Sequence, residues 1–407
     1  MRRWRRLAAA MTIVALLLCS GCSWDWNLDD PASIVKPAAD YRSEYASAWC
    51  YRGLTPRMQQ MYAAVYTAVR EYRDDVWVSI RGGANQPESA YIGLKVKLPV
   101  PMTDSAEARR LFNAFTADNP QFFFLGNTYS YEGYRLDGVD YYDVFCLTLT
   151  MNAEERQSAA AALERQITGI LEQIPSNATP YDAELFIHDT LATRITYDDE
   201  TAADPAPAVR RPAAFTAYGA LVDGLAVCEG YSRAMQLLLH RSGIRCTLVT
   251  GTAGDGASHM WNLAEIDGRN YHLDLTWDDA DDRLNHTYFN LTTEEIALSH
   301  TLDRDNLGVD TCTATEANYY LHEKRYLDTY DRSTIAEEVA RQVRAGADRV
   351  ELRFAPDKFA NAQLFFSNSR RLSQYVNPFL VGQSLWDYAC QANETYHTII
   401  LYRQEET

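Results

Sequence analysis

Three side chains have the types and the order along the chain that nucleophilic chemistry requires: Cys228, His259 and Asp274. A cysteine reacts as its thiolate, which the unpaired amides and the dipole at a helix N-terminus stabilise. A neighbouring imidazolium lowers the pKa of the thiol further and can give a proton to a leaving group. A carboxylate fixes the tautomer and the orientation of the imidazole. The sequence therefore predicts a Cys-His-Asp triad.

The cysteine stands where a helix is expected to begin. The stretch AVCEGYSRAMQLLLHRSGI is amphipathic, and it predicts a helix over residues 226–242. Gly243 follows the last periodic residue, which is the usual position for a glycine that ends a helix. This arrangement would place Cys228 in the first turn of the helix.

The histidine and the aspartate lie in two predicted strands, HMWNLAEI and NYHLDLTWDD, separated by Asp267-Gly268. Asp-Gly is a typical two-residue hairpin turn. Such a turn places Asp274 opposite Trp261, and His259 shares the face of Trp261 because side chains alternate along a strand. His259 and Asp274 are then diagonal neighbours, about 7–8 Å apart at the backbone and within side-chain reach. A three-residue loop would put them on opposite faces.

Structural roles are the alternative for each of these residues. A lone cysteine near a helix start most often packs into a core, and a lone strand histidine is usually structural, but the three residues together favour catalysis. Cys246 lies in an apolar strand and His188 beside the apolar face of a helix, so both are interpreted as structural. A metal site formed by His259, His272 and Asp274 is a further alternative, but no fourth ligand follows with suitable spacing, so we expect no metal.

The segments GALVDGLAVCEGYSRAMQLLLHRSGI and HMWNLAEIDGRNYHLDLTWDD resemble the bacterial transglutaminase-like superfamily, whose fold belongs with papain-type cysteine proteases. ELFIHDTLATRITYD upstream and YFNLTTEEIALSH downstream resemble the segments that open this domain and follow its last core strands. The resemblance covers residues 181–300, about a third of the chain. It implies an α+β fold with a papain-like core, in which an N-terminal catalytic helix packs on an antiparallel sheet flanked by smaller α/β regions.

The resemblance also implies a role for each site residue. Carried onto this chain, Cys228 is the nucleophile, His259 the general base and acid, and Asp274 the residue that orients the histidine. The backbone amide of Cys228 would be one oxyanion donor. Tyr218 is a candidate for the second donor, with aromatic packing as the alternative. Trp261 matches the His-x-Trp pattern of the family and is expected to form a wall of the site.

The implied reaction forms an acyl-enzyme on an amide. With water as the acceptor, the protein is a thiol-dependent peptidase or amidase acting on protein or cell-wall peptide amides, which is the function we expect. With a lysine amine as the acceptor, it is a cross-linking transglutaminase. A non-catalytic binding or scaffold lipoprotein that retains the fold is the third alternative. No cofactor is implied.

The first residues, MRRWRRLAAAMTIVALLLCSGC, combine four arginines, a short apolar run and small residues. This is the pattern of a signal peptide, because the apolar run is too short to span a bilayer. The end of the run, LCSGC, resembles a bacterial lipobox with Cys22 as the residue to be lipidated. We therefore expect an extracytoplasmic lipoprotein anchored to the bacterial cell membrane, with ordinary secretion as the alternative.

Composition limits the partners. The formal net charge is −17, so we expect no electrostatic binding of nucleic acid. The cysteines beyond Cys22 are widely and irregularly spaced without a CxxC pair, which indicates neither a disulfide scaffold nor a zinc site. The partner that the resemblance implies is a protein or peptide substrate, cell-wall peptide included.

Breaks in the pattern predict the domain organisation. The expected segments are a signal peptide over 1–21, a tether over 22–45, an N-terminal α/β region over 46–177, a transglutaminase-like catalytic domain over 178–315 and a small C-terminal α/β region over 325–407.

Overall fold

A computed structural model describes residues 34–35, 48–71, 76–80, 89–204, 210–254, 256–279, 283–304, 306 and 309–404. These residues form two compact units. The first unit takes its residues from Met1–Gly268 and His300–Asp310, and the second from Arg269–Ser299 and Thr311–Thr407. None of the helices among the described residues combines the length and the apolar character needed to cross a membrane. The predicted signal peptide and the predicted lipidation site Cys22 lie outside the described residues.

The first unit begins with a five-stranded sheet of order β1-β3-β5-β4, in which β2 also pairs with β3. Its strands are β1 (Ile34–Val35), β2 (Val76–Ile80), β3 (Ser89–Met102), β4 (Leu125–Leu136) and β5 (Val139–Leu149). The turn between β4 and β5 is Asp137-Gly138, with φ values of 49° and 81°. Leu136 pairs with Val139, so this dipeptide makes a two-residue hairpin turn.

Four helices lie between or directly after these strands in the described sequence: α1 (Trp49–Arg52), α2 (Pro56–Glu71), α3 (Ser105–Asp118) and α4 (Ala153–Leu171). Asp104 caps α3, because its carboxylate accepts the Glu107 amide at 2.8 Å. Asn152 and Glu155 form a reciprocal capping box at the start of α4, which satisfies two amides that no helical carbonyl reaches.

The second part of the first unit contains the helix that begins at Cys228. Its elements are α5 (Pro180–Arg194), β6 (Thr196–Tyr197), α6 (Asp199–Ala203), a 3₁₀ turn (Pro212–Phe215), a π-helical turn (Gly219–Asp223), β7 (Leu225–Ala226), α7 (Cys228–Arg241), β8 (Cys246–Ala253), β9 (Ala257–Ile266) and β11 (His300–Leu302). Strand β8 pairs antiparallel with β9 and with β11.

Helix α7 packs on this antiparallel sheet. Its apolar side chains recur at helical spacing, and those of Met235, Leu238 and Leu239 are buried. Gly243 follows the helix with φ of 79°, the left-handed conformation that glycine adopts without steric cost. The predicted α+β class, with a helix on an antiparallel sheet, is confirmed.

Residues of the predicted N-terminal region pack directly against α7 and β8. Arg233 Nη1 donates to the Thr116 carbonyl at 2.7 Å, and Gln236 Nε2 donates to the Ala117 carbonyl at 2.8 Å. The Arg245 guanidinium lies 4.7 Å from the centre of the Trp49 ring. The N-terminal sheet and the helix that carries Cys228 therefore belong to one compact unit.

The second unit is built on a sheet of order β12-β13-β15-β14. Its elements are β10 (Arg269–Leu273), α8 (Leu275–Asp278), α9 (Thr293–Ile296), α10 (Tyr319–His322), β12 (Tyr326–Leu327), α11 (Arg332–Arg344), β13 (Arg349–Phe354), α12 (Pro356–Phe366), α13 (Ser369–Val376), β14 (Tyr388–Asn393) and β15 (Thr398–Arg403). Its core joins the apolar faces of α11 and α12 to β13 and β15.

Candidate active site

Cys228 is the first residue of α7. The residue before it, Val227, has extended backbone angles and makes no side-chain capping hydrogen bond. A valine side chain has no acceptor, so it leaves the first amides of the helix available to another partner. Those amides can donate to a negatively charged oxygen that develops beside the thiol. Cys228 is buried, with 3% of the residue exposed.

Ser232 fixes the first turn of α7 against strand β9. Its hydroxyl lies 2.8 Å from the Cys228 carbonyl oxygen and 3.0 Å from the Met260 carbonyl oxygen. The side-chain amide of Asn262 donates to the Ser232 carbonyl at 2.9 Å. Ser232 and Asn262 are buried, so these hydrogen bonds are protected from water. The start of the helix is thereby bonded to the strand residue that follows His259.

Gly230 allows a loop to approach this first turn closely. A Cβ atom at Gly230 would lie 2.5 Å from the Ala214 carbonyl oxygen and 2.7 Å from the Ala226 Cβ. The Ala214 carbonyl also accepts the Val227 amide at 3.0 Å. The 3₁₀ turn over Pro212–Phe215 is therefore held against the residues that flank Cys228.

We expect Gly230→Ala to lower the free energy of unfolding by about 1–3 kcal/mol, because the methyl group must displace the Ala214 carbonyl. Urea unfolding and the rate of Cys228 alkylation measure the effect. Gly169→Ala is the matched control, since a Cβ at this position of α4 meets nothing within 4 Å. That variant should gain about 0.5–1 kcal/mol. Equal stability of the two variants would contradict this role of Gly230.

His259 lies near the beginning of β9 and is partly exposed. Its ring is nearly parallel to that of Trp261, with centroids 6.0 Å apart and an interplanar angle of 20°. Trp261 is completely buried. Trp261 therefore lies beside His259, and its role as a wall of the site stays a prediction.

A second histidine contacts both of these rings. The His300 ring lies 5.5 Å from His259 and 5.0 Å from Trp261, in an edge-on contact with the indole. Sequence reasoning did not select His300, because nothing in its spacing relates it to His259.

Asp274 lies in the second unit, and its local structure differs from the expected strand. Strand β10 ends at Leu273, and the helical turn α8 follows. Asp274 is the capping residue of that turn, since its carboxylate accepts the Trp277 amide at 3.3 Å. Asp274 is 0% exposed, and its amide donates to the Tyr288 carbonyl at 3.2 Å. The prediction of a strand through NYHLDLTWDD was wrong beyond Leu273. The strand ends there because an aspartate favours a helix N-cap over a strand interior.

The turn that connects β9 to β10 has the predicted form. Strand β9 ends at Ile266 and β10 begins at Arg269, so two residues make the turn. Asp267 and Gly268 have φ of 51° and 74°, as a type I′ turn requires. The two-residue turn on which the shared face of His259 and Asp274 depends is confirmed, and their contact stays a prediction.

Tyr218 immediately precedes the π-helical turn over Gly219–Asp223. Its ring stacks on Phe123, with centroids 5.2 Å apart and an interplanar angle of 22°. This contact supports the packing interpretation of Tyr218. A role as oxyanion donor stays a prediction.

The other residues weighed in the sequence occupy structural positions. Cys246 is fully buried, and burial raises the pKa of its thiol. His188 is buried, with Nδ1 3.0 Å from an Asp189 carboxylate oxygen. In the second unit, His272 Nε2 lies 3.1 Å from the Thr293 hydroxyl. All six cysteines that the structure describes, Cys228 included, are thiols rather than disulfides.

Comparison with known proteins identifies this part of the chain. Residues 168–275 match the family model of the transglutaminase-like superfamily. The predicted resemblance is confirmed over this segment, which contains Cys228, His259 and Asp274. A search of curated proteins returned no match.

Three solved structures are similar to the chain. A TGase is 15% identical, with a TM-score of 0.26 and coverage of 45% of this chain and 50% of its own. A proposed cysteine protease from Cytophaga hutchinsonii is 11% identical, with a TM-score of 0.25 and coverage of 46% and 70%. A proposed protease from Parabacteroides distasonis is 10% identical, with a TM-score of 0.21 and coverage of 44% and 39%. The chain therefore spans half the length of the TGase.

Proposed function

We propose that the protein is a thiol-dependent acyl-transfer enzyme that hydrolyses amides of proteins or peptides, cell-wall peptides included. The observation that carries this proposal is the placement of Cys228. It begins a helix whose first turn is bonded, through Ser232, to the strand residue next to His259. This arrangement lies within the segment that matches the transglutaminase-like superfamily.

The first half of the proposed reaction transfers the acyl group to the enzyme. The Cys228 thiolate attacks the carbonyl carbon of the amide, and the helix amides stabilise the oxyanion. As the C–N bond breaks, the leaving amine takes a proton from the His259 imidazolium. The product is a thioester on Cys228 and a neutral imidazole.

The second half returns the enzyme to its starting state. The neutral His259 takes a proton from water, which attacks the thioester carbonyl. The C–S bond then breaks, and a carboxylic acid and the thiolate form. In this proposal Asp274 orients the imidazole throughout, and an amine in place of water would give the cross-linking reaction instead.

Thiol labelling over a range of pH tests the proposal. Iodoacetamide labelling between pH 5 and pH 9, followed by intact-mass and peptide mass spectrometry, gives a rate for each cysteine. Cys390 is the internal comparison, because the residue is exposed. Partial desolvation by the surrounding protein raises the pKa of its thiol to about 11. Accessibility alone predicts faster labelling of Cys390 than of the shielded Cys228. We expect Cys228 to label first below pH 7, because the proposed reaction requires a reactive thiol at the helix N-terminus beside His259.

The His259→Ala variant identifies the source of that reactivity. Loss of the labelling of Cys228 below pH 7 in this variant is the expected result, with the labelling of Cys390 unchanged. His322→Ala is the matched control, since His322 is an exposed histidine of the second unit. If Cys228 labels no faster than Cys390 at any pH, the thiol is structural and the proposed reaction is wrong.

We also propose that the protein is an extracytoplasmic lipoprotein anchored to the membrane through Cys22. The four arginines, the short apolar run and the LCSGC stretch at the start of the chain support this proposal. Incorporation of a labelled fatty acid in cells, and its loss in Cys22→Ser, is the test. Incorporation that persists in the variant would contradict it.

A further inference from the structure

His300 and His259 lie on the two strands that flank β8, and their rings are in contact. Strand β8 pairs on one side with β9, where Gly251 is opposite His259, and on the other with β11, where Ala253 is opposite His300. Directly opposed residues share a face of a sheet, and so do residues two apart on one strand. The two histidines, Gly251 and Ala253 therefore lie on the same face.

Small residues on β8 make this contact possible. Gly251 has no side chain and Ala253 has only a methyl group, so the space above β8 is open to the rings from both flanking strands. A Cβ atom at Gly251 would lie 2.9 Å from Trp261 Cη2 and 2.1 Å from the Thr301 carbonyl oxygen. Any side chain at position 251 would therefore collide with the indole and with strand β11, and glycine avoids this collision.

The strand backbone alone does not fix the orientation of an imidazole. The second torsion angle of histidine is broad, because it joins a tetrahedral and a planar carbon. A ring that must exchange protons with a fixed thiol therefore needs neighbours that restrict its rotation. Around His259, two such neighbours are Trp261 on its own strand and His300 on β11.

We propose that His300 is a positioning residue that, together with Trp261, holds the His259 ring in its catalytic orientation. This inference rests on the proposed role of His259, and it adds a residue to the site that the Cys-His-Asp pattern does not contain. His300 contacts the rings of both His259 and Trp261, and in this inference it acts by packing against them.

Two variants separate packing from other roles of His300. His300→Phe keeps a planar ring against His259 and Trp261, whereas His300→Ala removes it. At pH 6, we expect Cys228 in His300→Ala to react with iodoacetamide about tenfold more slowly than in the wild type. The reason is that a His259 ring out of its position activates the thiol less well. His300→Phe should stay within about twofold of the wild-type rate. His322→Ala serves again as the matched control for the loss of an imidazole.

A second readout observes His259 directly and does not depend on reactivity. Histidine ring nitrogen resonances, recorded on the ¹⁵N-labelled full chain and assigned with His259→Ala, report the tautomer and environment of each ring. We expect the His259 signals to match in the wild type and in His300→Phe, and to move in His300→Ala. If His300→Ala does not fold, His300→Phe still tests the inference, because its rate and its signals must stay those of the wild type.

Each outcome has one meaning. Unchanged rates and unchanged His259 signals in a folded His300→Ala protein would overturn the inference. A loss in His300→Phe as large as that in His300→Ala would also overturn it, because the ring then does not act by packing. If the wild type shows no His259-dependent labelling but the His259 signals still move in His300→Ala, the positioning contact stands and the proposed catalytic function fails.

Discussion

Replacing Cys228 by alanine is expected to lower kcat/KM for hydrolysis of a peptide amide by about 10⁴-fold or more, because the proposed thioester forms on the thiol that this change removes. The residual rate comes from substrate binding and the oxyanion donors, which the variant retains. Peptide and cell-wall fragment libraries, read by mass spectrometry, supply the substrate and the rate. Thermal unfolding should change little, since one small buried side chain replaces another.

The design of this experiment separates catalysis from a scaffold function. Cys390→Ala is the matched control, because it removes an exposed thiol from β14 in the second unit. We expect that variant to hydrolyse the substrate at the wild-type rate. Hydrolysis by Cys228→Ala at the wild-type rate would exclude the thioester mechanism. A product with an added amine, formed in the presence of a primary amine, would instead identify the cross-linking reaction.

Replacing Glu351 by alanine is expected to destabilise the second unit by about 3–5 kcal/mol, because the change leaves buried partners without their counter-ion. Glu351 lies on β13 and is 0% exposed. Its carboxylate oxygens accept His286 Nδ1 at 2.8 Å, Arg349 Nε at 2.9 Å and the Tyr320 hydroxyl at 3.3 Å. The His286 ring also stacks on Tyr319 at 3.8 Å, so the pair is fixed in position.

Hydrogen exchange over residues 349–354 measures this effect within the second unit. The chain has two compact units, and a single transition for the whole molecule would not assign the change to one of them. Glu337→Ala is the matched control, since Glu337 lies on the exposed face of α11 in the same unit. That variant should stay within about 0.5 kcal/mol of the wild type. Similar protection in the two variants would show that the Glu351 cluster contributes little.

The same cluster predicts how the stability of the second unit depends on pH. Burial alone would raise the pKa of Glu351, but the positive charges of His286 and Arg349 and their hydrogen bonds outweigh it, and the pKa is about 2. The unfolded chain has an ordinary glutamate pKa, near 4.3. The carboxylate therefore stabilises the folded unit above about pH 4.3, and this contribution is lost as the pH falls from there toward 2. The Glu351→Ala variant should lose less stability over that interval than the wild type.

The sequence by itself determined the local elements of the site. A helix that begins at Cys228 and ends before Gly243 follows from apolar spacing and from a glycine that tolerates positive φ. The turn at Asp267-Gly268 follows from the same tolerance, because a type I′ turn requires positive φ at both residues. The transglutaminase-like motifs were recognised in the linear sequence, and residues 168–275 match that family.

Only the tertiary structure decided which distant residues meet. His300 reaches His259 because β11 pairs with β8 beside a glycine, and Phe123 stacks on Tyr218 because both segments fold into one compact unit. Local patterns depend on backbone conformation over a few residues and can be read from composition and spacing. Contacts between distant segments depend on how whole faces pack, and no local pattern in the chain records that choice.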